Sequence, residues 1–512
     1  MADAQEAENL ASSIRIGSLS LELQELRSNV VGAQLGEAAI STSLKAGAIG
    51  LALVCIFMMV VYLLPGVVAA ISLLLYTVLT LVTLNAFDIT LTLPGIAGII
   101  LGIGMAVDAN VIIYARIREE IAAGKSVKSA IDIGFKKALS AILDGNITTL
   151  IAAIVLGIMG TGSVKGFAYT LAMSIILSMF SALVISRYLA KAFYALGFQD
   201  VKYYGCPKKH NTIDFLKHKK VFFAIAIVCM ISGPVAMLIH SQGSGKALNY
   251  SLEFMGGTST NVTFNEDYSI EEIDEKVKPV VQEVTGDANI QATKVSGSNQ
   301  VIIKTRELSL DERTELSQKL NEKFGVDEST ITAESISSTV SNEMRQDAIV
   351  AVIIAAICML IYIWLRFKDI RFGASAVLAL LHDVLIVLAF YAIARISVGN
   401  TFIACMLTII GYSINASIVI FDRIRENLGN SKKHSDEALK EIVNRSITQT
   451  LTRSIYTSLT TFITIAALFI LGVPSIREFA APLIVGIVAG AFSSVCISGP
   501  LWYICLLYTS DA

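Results

Sequence analysis

A carboxylate inside an apolar stretch opens the chemistry of this sequence. Asp108 lies within Leu93–Glu120 (LPGIAGIILGIGMAVDANVIIYARIREE), two residues before Asn110. About 20 apolar residues suffice to cross a bilayer, and an acid at its centre costs at least about 2.5 kcal/mol. Such a group needs a partner or a water-filled path. The plainer alternative is that Asp108 only hydrogen-bonds a neighbouring helix. Other apolar runs also carry polar side chains: Asn415 and Ser417, the pair His382-Asp383, Asn146 beside Thr148 and Thr149, and Arg453 with Arg445 shortly before it. An acid facing an arginine from another helix is the pairing that proton relays use. Asp108 with Arg453 is therefore the leading ion-coupling pair, with Asn110, Asn415, His382 and Asp383 as further members. Arg445, Asn146 and Ser417 are secondary. Arg445 is compatible with a surface charge, His382-Asp383 with a packing pair at a helix end, and Asn146 with an interhelical hydrogen bond.

The elements that must position these residues are membrane helices. The chain has 512 residues, 54% hydrophobic and 16% charged. Apolar runs fall at about 45–63, 66–86, 93–115, 138–160 and 166–190, and again at about 221–240, 347–365, 372–394, 401–421, 448–471 and 479–505. Pro65-Gly66 separates the first two by a tight-turn signal. Gly98 and Gly102, with Gly104 beside them, let another helix approach the Asp108 helix closely. An amphipathic charged segment is expected over about 116–137. The net charge of −2 and the lack of a basic tract with interleaved aromatics give no sign of nucleic-acid binding. Six of the seven cysteines lie in apolar runs and the seventh, Cys206, in a basic loop. No structural disulfide is expected, and Cys206 with His210 does not make a metal site. The N-terminus, MADAQEAENL, has no signal-peptide pattern.

The linker 191–220 holds seven lysines against Asp200 and Asp214, so the positive-inside rule makes it cytoplasmic. Counting helices outward from it puts residues 1–43 and 241–346 outside, and residues 1–43 then require a further helix upstream. That polar stretch of 1–43 is too poor in apolar residues for a core of its own. The insertion 241–346 reads as strand Thr258–Phe264, helix Ser269–Val284, strands Asn289–Val295 and Gln300–Thr305, helix Asp311–Phe324 and strand Ser329–Ile336. Ser269 and Glu272 are spaced as a capping box. The order βαββαβ is the split ferredoxin-like arrangement.

The two halves repeat each other. VDANVIIYARIREE (107–120) lines up with INASIVIFDRIREN (414–427), Asn146–Thr149 with Ser458–Thr461, and Gly166–Ala168 with Glu478–Ala480. Both charged segments fall on the cytoplasmic side, so the repeat is parallel. Transporters built from repeats place their sites at the repeat interface. The expected fold class is a polytopic α-helical membrane protein with two parallel pseudo-symmetric transmembrane repeats and an α+β ferredoxin-like extracytoplasmic domain. Its parts are 1–43, helices over 44–190, the linker 191–220, a helix at 221–240, the domain 241–346 and helices over 347–507.

These residues carry a resemblance. TLPGIAGI, GMAVDANVIIYARIREE, DGNITTLIA and GTGSVKGFA resemble stretches of the SecD family. LEFMGGT, LALLHDVLIVLAF, GYSINASIVIFDRIRENL, RSITQTLTRSIYTSLTT and LIVGIVAGAFSSVCISGPL resemble stretches of the SecF family. The chain is thus similar to fused SecD–SecF proteins of the resistance-nodulation-division superfamily. That resemblance implies a pump of the bacterial plasma membrane, driven by H+ or Na+ and using no other cofactor. It implies association with the SecYEG channel, an indirect relation to SecA, preproteins as substrates, and no enzymatic activity. It implies twelve helices and two outer domains, of which the first helix and most of the first domain are absent here. Residues 1–43 would then be the last part of that domain. It also assigns the intramembrane acid of the first half to Asp108 and the arginine of the second to Arg453. Many members have an Asp after the asparagine of GYSIN, whereas this chain has Ala416, which removes one relay carboxylate; Ala115 likewise stands where an acid usually precedes the arginine.

Three other readings compete. A small-molecule or lipid exporter of the same superfamily would carry larger outer domains than 241–346. An intramembrane aspartyl protease using Asp108 and Asp383 needs a glycine-rich motif ending on an aspartate, but Val107 and His382 precede them. A passive scaffold for the channel would not need Asp108.

Overall fold

The computed structural model describes residues 27–29, 33–89, 91–205, 212–243, 247–287, 290–295, 298–429 and 435–510. Cys206 and His210 lie outside them. The chain divides into a helical unit (Ala33–Phe254 with Met344–Ala512) and a smaller unit (Met1–Gly32 with Met255–Glu343).

In the helical unit, α1 (Ala33–Tyr62) and α2 (Leu64–Ala86) form a tight hairpin. Leu63 turns the chain at φ 58° and Pro65 sits in the first turn of α2. A Cβ on Gly66 would lie 2.0 Å from the Met58 carbonyl oxygen, so only glycine fits this turn. Next come α3 (Leu93–Ala122) and α4 (Val127–Met159). Helix α5 (Ser163–Phe180) continues through a π turn, Ser181–Ile185, into Ser186–Ala195, and α6 is Lys219–Gly243.

The smaller unit contains β1 (Arg27–Asn29), then β2 (Gly257–Thr263). Helix α7 comprises Ile270–Glu272, a π turn at Ile273–Val277, and Lys278–Thr285. Strands β3 (Gln291–Lys294) and β4 (Gln300–Thr305), α8 (Leu310–Phe324) and β5 (Thr332–Ile336) complete it. The sheet order is β1-β5-β2-β4-β3, every pair antiparallel. Val262, Phe264, Val277, Leu316 and Leu320 meet in its core. Ser269 with Glu272 and Ser309 with Glu312 close capping boxes at the starts of the two helices. The last strand begins at Thr332 rather than Ser329, because Glu328–Thr330 forms a 3-10 turn in which Thr330 donates to the Asp327 carbonyl.

The helical unit resumes with α9 (Ser338–Phe367), α10 (Ile370–Ala394), α11 (Asn400–Leu428) and α12 (Asp436–Leu471). Helix α13 (Pro474–Ser493) runs on through a π turn, Ser494–Ser498, into Gly499–Ser510. Among the described residues, eleven helices are long and apolar enough to cross a membrane. The most apolar windows of α3 and α11 are 89% buried, against 11% for that containing α6, so these two are the central helices. The glycines of α3 explain its place. A Cβ on Gly98 would meet Phe167 and Thr170 of α5, and one on Gly104 would lie 2.9 Å from the Thr461 Cα of α12.

Three charged or polar segments flank the apolar runs. Within 1–43, β1 pairs with β5 at the edge of the small sheet and α1 begins at Ala33. The charged segment 116–137 comprises the end of α3 at Ala122, a turn at Gly124 (φ 86°) and the start of α4, capped by Ser126. The second charged segment divides in the same way, with Gly429 after α11 and Ser435 capping α12.

Candidate functional site

Asp108, from the middle of α3, faces Asn415 from the middle of α11. The Asn415 side-chain Nδ2 donates to the Asp108 Oδ2 at 2.7 Å. Asn415 fits because α4 offers Gly145 behind it; a Cβ there would lie 1.9 Å from the Asn415 Oδ1. Helix α12 completes the site with Arg453, Ser454 and Thr457. Together with Tyr412 and Ala416 these residues line a cavity of about 10 Å³, room for roughly one water molecule. Asp108 is only partly buried and faces this space.

Arg453 is buried (8% exposed), and its Nε and Nη2 have no hydrogen-bond partner among the described residues. It lines the same cavity as Asp108, and no ion pair closes between the two among the described residues. An unpaired guanidinium edge next to a carboxylate held by one amide is an unsaturated site. It has room for a small cation or a proton-carrying water, and a change of charge on Asp108 changes its attraction to Arg453 directly. Tyr412 fixes α11 against α12, its hydroxyl lying 3.3 Å from both the Thr457 carbonyl and the Thr461 Oγ1.

The remaining expected residues lie elsewhere. Asn110 is buried but donates to the Ala106 carbonyl of its own helix at 3.4 Å and does not line the cavity. Two residues along a helix is a rotation of about 200°, which turns it away from Asp108. Asn146 similarly donates to Ile142 of its own helix at 2.8 Å. Ser417 is buried within α11, and Arg445 is exposed on α12. His382 and Asp383 form a separate buried cluster. The His382 Nδ1 lies 2.8 Å from Asp383 Oδ1, and Asp383 Oδ2 accepts from Ser493 at 2.7 Å and from Ser413. This cluster ties α10, α11 and α13 together. Helix α11 thus sends Ser413 to one acid and Asn415 to the other.

Several participants escape a reading by residue type alone. Asp144 of α4 accepts from Arg366 (2.5 Å) and Tyr362 (2.9 Å), both on α9. At the charged ends of α3 and α11, Arg116 bonds Glu119 and Glu426, each at 3.0 Å, while Arg423 bonds Glu426 at 3.1 Å and Glu119. The sequence signal for these four was present in the recurring Arg-Ile-Arg-Glu. Cys55, Cys229, Cys358, Cys405, Cys496 and Cys505 are free thiols.

The sequence matches the family model for the C-terminal part of the protein export membrane proteins SecD/SecF over residues 15–195 and 316–507. It is 37% identical to protein translocase subunit SecDF of Bacillus subtilis, across 98% of this chain and 68% of that protein. It is 34% identical to SecDF of Thermus thermophilus, across 98% of this chain and 66% of the relative. The crystal structure of the translocon-associated membrane protein SecDF from Thermus superposes with a TM-score of 0.85 at 32% identity, covering 100% of this chain and 68% of that one. A crystal structure of SecDF in super-membrane-facing form gives 0.73 with the same coverage. The chain therefore spans about two thirds of the length of these relatives. With both halves matched in order and the fold shared from end to end, the chain belongs to the SecD/SecF family of protein export membrane proteins, in its fused SecDF form.

Proposed function

We propose that this protein is a membrane subunit of the Sec protein translocase, not an enzyme, that uses the proton or sodium motive force to promote preprotein export through the SecYEG channel. SecA would act before it and only indirectly with it. The observation that carries the reading is the placement of Asp108. An acid at a helix–helix contact deep in an apolar unit, held by Asn415 and facing the unpaired edges of Arg453, is suited to binding and releasing a cation. Each elementary charge crossing the field gains about 2.3 kcal/mol per 100 mV. Binding or release at Asp108 would switch its attraction to Arg453 and rock α3 against α11 and α12.

The reading takes the helical unit as two parallel pseudo-symmetric repeats. Reciprocal contacts support it: Gly104 packs on Thr461 while Gly411 packs on Thr149, and Phe167 meets Phe479 edge-on at 5.2 Å. One family model also matches both halves. The smaller unit is read as ferredoxin-like, supported by its βαββαβ order and the sheet order β5-β2-β4-β3. The protein would lie in the bacterial plasma membrane with 191–220 cytoplasmic and 241–346 extracytoplasmic.

The test uses vesicles in which a precursor has begun to cross. ATP is depleted, a proton or sodium gradient is imposed, and completion is recorded. Completion with the wild type and not with Asp108→Asn supports the reading; equal completion leaves only a scaffold role.

A further inference from the structure

The four charges at the ends of α3 and α11 form a closed ring. Arg116 bridges its own Glu119 and the opposite Glu426, and Arg423 bridges its own Glu426 and the opposite Glu119. The arginine side chains are 9% and 11% exposed, the glutamates 36% and 42%, so the cations lie inside and the carboxylates outside. The ring is in register with the site. Arg116 follows Asp108, and Arg423 follows Asn415, by eight residues, which is about 12 Å along each helix. Ring and cavity are built on the same two helices, α3 and α11. Each link that joins the helices is an arginine–carboxylate bond, a strong, directional contact. Separating α3 from α11 breaks both cross-links at once and leaves each arginine with its own i+3 glutamate, so the open state keeps its cations paired.

We propose that Arg116, Glu119, Arg423 and Glu426 form a gate that closes the path between the cytoplasm and the Asp108 cavity. The proposal rests on the reading of Asp108 as the coupling site. While the ring is closed, its two arginine–carboxylate cross-links hold α3 against α11 and shut that side of the cavity. A cation reaches or leaves Asp108 from that side only when the two helices part.

The test reads access rather than transport. Ala416→Cys is introduced into the full chain after its native cysteines are replaced, since Ala416 lines the cavity. Labelling by a membrane-impermeant methanethiosulfonate cation is timed from the cytoplasmic face. The expected result is at least about tenfold faster labelling when Glu119→Gln and Glu426→Gln are added. Reversing all four charges (Arg116→Glu, Glu119→Arg, Arg423→Glu, Glu426→Arg) should return it toward the slow rate. Equal rates with and without the glutamates overturn the gate, as does a reversed ring that labels as fast as the neutralised one. A failed Asp108→Asn export test would overturn the coupling reading while leaving this access result standing.

Discussion

Asn415 is held to Asp108 by what lies behind it. Because a Cβ on Gly145 would lie within 2.4 Å of the Asn415 side-chain carbon, Gly145→Ala must push the amide away from Asp108. The expected outcome is that Gly145→Ala and Asn415→Ala lower ion flux in liposomes to a similar degree, by about tenfold if the lost bond to the charged oxygen is worth ~1.5 kcal/mol. Normal flux in Gly145→Ala would show that this amide is not needed. Ala416 lines the same cavity, so a carboxylate placed there faces the same arginine. Asp108→Asn combined with Ala416→Asp is expected to recover measurable flux where Asp108→Asn alone has none. No recovery would tie the chemistry to the α3 position itself. The acid and its arginine were legible in the sequence because each is a charged residue within an apolar run. The misplacement of Asn110 has a simple cause: adjacency in sequence puts a residue two positions away on the opposite side of a helix. Asp144 and Arg366 were harder to see, since each lies near a run's edge and only the packing of α4 on α9 pairs them.

At the scale of elements, most helices and strands follow from apolar runs and capping residues, and the departures occur where charge conceals a helix. Residues 33–43 and 116–122 are polar, yet they continue α1 and α3, because a helix that leaves the apolar layer keeps its backbone bonded by extending. Strand β1 is three residues long and is defined only by its pairing with β5, which no local pattern announces. The start of α8, in the smaller unit, offers a pH test away from the long apolar helices. The Arg306 guanidinium and the backbone N–H of Ser309 hold the Glu312 carboxyl down at about 2. An unfolded glutamate titrates near about 4.3. The added stability is therefore complete above that pH and is lost as pH falls through about 2. Hydrogen exchange of Leu310–Phe324, corrected for its intrinsic pH dependence, should rise over that window in the wild type. Glu312→Gln should exchange faster at neutral pH and show a smaller rise. Parallel profiles for the two proteins would contradict the assignment.

The helical unit as a whole is joined across its halves by a few polar contacts set into apolar packing. The Asp144–Arg366 pair links α4 to α9. Breaking a buried pair costs about 3–5 kcal/mol, and the partial exposure of Arg366 brings that to ~2 kcal/mol. Asp144→Asn should lower the unfolding midpoint in detergent, and Asp144→Asn with Arg366→Met should recover part of the loss; an unchanged midpoint would assign the pair no structural weight. The central claim is that one ion binds at Asp108 between the halves, and ion movement by the purified protein tests it most directly. With a membrane potential imposed on liposomes, proton and sodium uptake would be recorded separately for the wild type and Asp108→Asn. The account predicts that the wild type moves one of the two ions and that the variant falls to the rate of protein-free liposomes. Uptake by Asp108→Asn at the wild-type rate would contradict it.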